Sequence, residues 1–108
     1  MNIGLIGIGT VGGGTYQVLK ENAAEISNKS GIEIKITHVA DKNLKLAKET
    51  VENETIVEED AFSLIENSSI DTIIELIGGT GIALDIVRKA LENGKHVVTA
   101  NKALIAMH

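Results

Sequence analysis

The sequence has no cysteine, no proline and no tryptophan, and Tyr16 and Phe62 are its only tyrosine and phenylalanine. Without cysteine there are no disulfides and no thiolate metal sites, a usage that suits a reducing cytoplasm. So few aromatics give no platform on which nucleic-acid bases could stack. A net charge of −5 with no basic run gives no surface for the phosphate backbone either. No apolar run approaches the roughly 18 residues of a membrane helix. The N-terminus enters a strand pattern directly, so no signal peptide is expected. Neither proline nor a linker-like stretch marks an internal boundary, and residues 1–108 read as one domain. Its core must come from Ile, Val, Leu and Ala. The composition, 44% apolar and 23% charged, is ordinary for a globular protein. Abundant Ile and Val suit a parallel sheet buried on both faces.

Strand-like and helix-like patterns alternate along the chain. Ile3–Ile6 reads as a first strand. Val11, Thr15, Val18, Leu19, Ala23 and Ile26 fall at helical spacing, which predicts a long helix over 11–28 that stops in the Ser27–Gly31 cluster. Ile32–Val39 alternates apolar and polar residues as a second strand and runs into Ala40-Asp41. A modest helix follows over Asn43–Val51, then a short strand over Thr55–Val57. A helix over Asp60–Asn67 has Asp60 as its cap. Asp71–Ile77 is a strongly apolar strand. Ile82, Ala83, Ile86, Val87, Ala90 and Leu91 form one apolar stripe, a helix over 81–93 that Gly94 stops. His96–Thr99 is the last strand, and Ala103–Met107 opens a further helix. A chain ending at His108, inside that helix, reads as a domain cut from a longer enzyme. Short connections between repeated βα units imply right-handed crossovers. The expected fold is a Rossmann-type doubly wound parallel α/β sheet of strand order 3-2-1-4-5.

The most specific feature is Gly7-Ile8-Gly9-Thr10-Val11-Gly12, placed between the first strand and the first helix. In that context G-x-G-x-x-G is a dinucleotide-binding fingerprint. Gly7 permits the tight turn, Gly9 lets a pyrophosphate approach the backbone, and Gly12 lets the helix pack on the strand. The helix N-terminus then offers free N–H groups and a positive dipole end to phosphate. Asp41, at the end of the second strand, stands where a carboxylate accepts the adenosine ribose hydroxyls. It lies beyond the usual spacing of about 20 residues, and the long first helix accounts for the excess. The competing reading makes Asp41 a cap at Asn43. Gly78-Gly79-Thr80 follows the fourth strand, across the switch point from Gly9, and leaves room for the nicotinamide half. Glu75, inside an apolar run, reads as a paired or edge carboxylate. Thr99, Asn101 and Lys102 leave the fifth strand at the carboxyl edge of the sheet, where a lysine can bind a carbonyl or hydroxyl oxygen and assist proton transfer.

Three of these segments resemble the homoserine dehydrogenases: Gly7–Gly12, Glu75-Leu76-Ile77-Gly78-Gly79 and, most specifically, Gly94-Lys95-His96-Val97-Val98-Thr99-Ala100-Asn101-Lys102-Ala103-Leu104. The resemblance runs in order across nearly the whole chain. It implies NAD- or NADP-dependent, reversible oxidation of L-homoserine to L-aspartate 4-semialdehyde, on the route to threonine and methionine. It also implies that Thr10 and Val11 contact the cofactor and that Lys102 sits at the junction of nicotinamide and substrate. The family's second catalytic lysine, its substrate carboxylates and its metal site would belong to a later domain, in a cytoplasmic and homo-oligomeric parent. One departure stands out. Many members place Arg or Lys before the aspartate, to read a 2′-phosphate, and this chain has Ala40. NAD is therefore expected to be accepted at least as well as NADP. An aspartate dehydrogenase-like enzyme and a non-catalytic nucleotide sensor are the alternatives.

Overall fold

In a computed structural model, which describes residues 1–77 and 81–99, Asn2–Ile6 (β1), Lys35–Ala40 (β2), Ile56–Glu58 (β3), Thr72–Glu75 (β4) and His96–Thr99 (β5) form one sheet. All pairings are parallel, in the order β3-β2-β1-β4-β5. The expected doubly wound topology is the one observed. The helices between the strands are Thr10–Ser30 (α1), Leu44–Thr50 (α2), Ala61–Glu66 (α3) and Gly81–Glu92 (α4).

Alternation along β1 explains the layering. Ile3 and Leu5 point to one face, where they bury with Ile8, Tyr16, Ile36, Val39 and Ala47 beneath α1 and α2. Ile6 points to the other, where it buries with Ala40, Leu64, Ile65, Ile70, Ile73, Ile86 and Ala90 beneath α3 and α4. Each fully buried Ile or Leu contributes roughly 1.5–3 kcal/mol, so two aliphatic layers hold the sheet with a single tyrosine among them. Tyr16 is fully buried, and its hydroxyl ties α1 to the segment before β3. It accepts from the Glu52 N–H and lies 3.0 Å from the Thr55 hydroxyl.

Element ends shift from the sequence pattern for identifiable reasons. β2 begins at Lys35 rather than Ile32, because β1 offers its first partner, Asn2, only there. α1 continues to Ser30 and closes at Gly31, which is left-handed at φ 74°, with its N–H on the Ser27 carbonyl. β2 carries one extra residue, Thr37, between the pairs Ile3–Ile36 and Gly4–His38. That bulge lets Ile36 and Val39 share a face. β4 ends at Glu75 rather than Ile77, for a reason that lies in the site. Asp60 caps α3 as expected, accepting from the Phe62 N–H at 2.9 Å, and Gly94 closes α4 at φ 74°. The helix expected over Ala103–Met107 lies outside the described residues.

Candidate functional site

The carboxyl ends of β1, β2 and β4 open onto a cavity of about 660 Å³, within the range of roughly 300–1,000 Å³ for small-molecule sites. Its floor is the glycine turn. Gly7 sits at φ 96°, a conformation that side chains rarely tolerate, and its N–H is held by the Ala40 carbonyl at 2.9 Å. A Cβ on Gly12 would run into the Gly7 carbonyl oxygen and stand 2.8 Å from its carbon. A Cβ on Gly9 would meet nothing within 4 Å, because it would project into open space. Gly7 and Gly12 are thus required by the fold, whereas the vacancy at Gly9 is available to a ligand. Gly9 is also the N-cap of α1, and among the described residues no side chain caps that helix. No acidic residue stands in its first turn, and its leading amides carry a partial charge of about +0.5 beside Gly9, which lines the cavity.

Asp41 lies at the cavity rim and is half-buried. Its Oδ2 accepts from the Ile8 N–H at 2.7 Å, inside the glycine turn, and its Oδ1 accepts from the Asn43 N–H at 2.8 Å. From the rim it organises two turns at once, the glycine turn through Ile8 and the turn at Asn43. The cap of α2, however, is Asn43 itself, which accepts from the Leu46 N–H at 3.1 Å. Each carboxylate oxygen has a second lone pair, so the rim position still permits a hydroxyl to donate to it.

Sequence reasoning did not find the wall beside Asp41. The Asp41 N–H donates to the Glu58 carbonyl at 3.0 Å, and the next residues, Glu59, Asp60, Ala61 and Phe62, line the cavity alongside Asp41 and Lys42, while Ile77, Ile82 and Ile86 line its apolar part. The lone phenylalanine was a signal, but its place depends on how the β3–α3–β4 crossover folds back over the sheet.

Glu75 is fully buried and paired, as its apolar surroundings predicted. Its Oε2 accepts from the Ile77 N–H at 2.6 Å, and its Oε1 accepts from the Thr99 hydroxyl at 2.5 Å. This side chain ends β4: the Leu76 N–H still reaches the Ile6 carbonyl at 2.9 Å, but the Ile77 N–H turns to Glu75. Thr99, read from sequence as a cofactor contact, donates a hydrogen bond from its hydroxyl to Glu75 at the end of β5. Gly78, Gly79, Thr80, Asn101 and Lys102 lie outside the described residues, as do the side chains of Thr10 and Val11. Among the described residues no cluster of acids or histidines could hold a metal ion.

Comparison with known proteins gives this geometry a context. The profile of the family described as "Homoserine dehydrogenase, NAD binding domain" matches residues 7–108. The chain is 56% identical to a homoserine dehydrogenase of Methylobacillus glycogenes over 98% of its own length and 26% of that protein's. It is 46% identical to the Pseudomonas aeruginosa enzyme over all of its own length and 24% of that protein's. The crystal structure of a homoserine dehydrogenase from Thiobacillus denitrificans superposes with a TM-score of 0.91 at 43% identity, covering 99% of this chain and 25% of that one. The chain thus spans about a quarter of the length of the relatives it matches.

Proposed function

The chain belongs to the homoserine dehydrogenase family, as the NAD-binding domain of those enzymes, and from that premise we propose that it carries the cofactor half-site for oxidation of L-homoserine to L-aspartate 4-semialdehyde. The carrying observation is the open position at Gly9, beside a cavity of about 660 Å³ whose rim bears Asp41. The pyrophosphate lies over Gly9 at the N-terminus of α1, within reach of Thr10 and Val11. The ribose hydroxyls donate to Asp41, and the adenine packs between Lys42 and the Ala61–Phe62 wall. Gly78–Thr80 and Thr99–Lys102 flank the nicotinamide, with Lys102 holding the substrate oxygen and assisting its proton transfer. When bound, NAD supplies the hydride acceptor, and the protein supplies position and charge. The substrate is gripped by a further domain, in a cytoplasmic homo-oligomer. Among the described residues no helix is long and apolar enough to cross a membrane.

The cavity's charge favours NAD over NADP. Among the described residues three carboxylates, Asp41, Glu59 and Asp60, line it against one cation, Lys42, and Ala40 adds none. A 2′-phosphate would be placed among like charges. Titration with NADH tests the half-site itself. The wild-type chain is expected to bind, and Gly9→Val to lose binding with its thermal unfolding unchanged, because the added side chain fills only the pyrophosphate's space. Equal binding by the two proteins would sink the assignment.

A further inference from the structure

We propose that Glu75 is a positioning residue for the nicotinamide end of the site, acting through the Ile77 backbone and the Thr99 hydroxyl; the proposal rests on the dinucleotide reading above. Glu75 is as buried as the isoleucines around it, yet it is a carboxylate. It forms no salt bridge among the described residues. An apolar residue would pack there without desolvating a charge. The carboxylate's two oxygens instead collect one donor from each of two segments, the Ile77 N–H at 2.6 Å and the Thr99 hydroxyl at 2.5 Å.

Register gives those bonds a purpose. Glu75 pairs with Ile6 of β1 on one side and Thr99 of β5 on the other, on the last rung of both ladders. β1 leads into the glycine turn, Ile77 precedes Gly78, and Thr99 precedes Ala100, Asn101 and Lys102. One side chain therefore sets where the chain leaves β4 and β5, on the side of the cavity away from Asp41. Misplacing a reacting group by about 1 Å can cost on the order of 100-fold in rate, so a buried clamp at this point acts on turnover without touching the substrate.

The test uses a full-length enzyme carrying this domain, with Glu75→Leu, Thr99→Val, their double variant and Glu75→Gln. Thr99→Val exchanges one hydroxyl for a methyl and carries the test if Glu75→Leu fails to fold. The readouts are kcat for homoserine oxidation and the Kd for ADP-ribose, which lacks the nicotinamide. Glu75→Leu and Thr99→Val are each expected to lower kcat by about tenfold or more, with ADP-ribose affinity unchanged. The double variant is expected to lose no more than the worse single, because the two side chains act as one unit. Glu75→Gln is expected to keep most turnover, since its oxygen can accept from Ile77 while its NH₂ donates to the Thr99 oxygen. Unchanged kcat in Glu75→Leu and Thr99→Val, fully additive losses, or a parallel loss of ADP-ribose binding would overturn the positioning role. A wild-type enzyme that binds no ADP-ribose would overturn the reading of the site itself.

Discussion

Asp41 and Glu75 occupy matching places at the carboxyl edge of the sheet, one just past β2 and the other at the end of β4. Each accepts the backbone N–H two residues ahead, Asn43 at 2.8 Å and Ile77 at 2.6 Å. Each takes a second donor from a neighbouring segment, the Ile8 N–H at 2.7 Å or the Thr99 hydroxyl at 2.5 Å. Their exposure differs. Asp41 lines the cavity, whereas Glu75 has no accessible surface. The same local hydrogen-bonding pattern thus supports two roles. A carboxylate at the rim can shape the glycine turn and still accept a ligand's hydroxyl. A sealed one can act only through the segments it holds.

The largest expected effect comes from removing the support under the Asp41 side. Gly12→Ala forces a methyl into the Gly7 carbonyl, and backbone cannot yield as a flexible side chain would. The loss should reach or exceed the upper end of the overpacking range, about 3 kcal/mol. At about 4–8 °C per kcal/mol for a domain of this size, thermal unfolding followed by circular dichroism should show a fall of more than about 12 °C. An unchanged Tm would mean that α1 does not press on the turn as described.

A smaller effect is expected from Asp41→Ala, which separates the two carboxylates functionally. It removes the Ile8 and Asn43 bonds together with the proposed ribose acceptor, so NADH and ADP-ribose should weaken together, by about 10- to 100-fold at roughly 1–3 kcal/mol per lost partner. The Glu75 variants, by contrast, should leave ADP-ribose untouched. NADPH should weaken less than NADH, because the repulsion of its 2′-phosphate is lost at the same time. In the wild type NADH should bind at least as tightly as NADPH, measured at one salt concentration because screening alters the comparison. A tenfold preference for NADPH would show that Lys42 outweighs the three carboxylates.

Most of the fold was legible because its signals are local. The βα alternation, the stop at Gly94 and the cap at Asp60 each depend on a few consecutive residues, and the order β3-β2-β1-β4-β5 follows from the alternation. Strand ends were less legible. Ile32–Ile34 alternates like a strand but has no partner on β1, and Ile77 continues an apolar run but gives its N–H to Glu75. In the site, the tight turn at Gly7, the open space at Gly9 and the close packing at Gly12 were readable from spacing. The bond from Ile8 to Asp41 and that from Thr99 to Glu75 were not, since each joins residues distant in sequence through a pairing register that no local pattern encodes.

A crystal structure of the domain with NADH tests the placement of the cofactor most directly. The pyrophosphate is expected over Gly9 at the start of α1, with a ribose hydroxyl within roughly 2.5–3.0 Å of an Asp41 carboxylate oxygen and the adenine against Phe62. A dinucleotide bound outside this cavity, or one whose ribose turns away while Asp41 holds only Ile8 and Asn43, would contradict it.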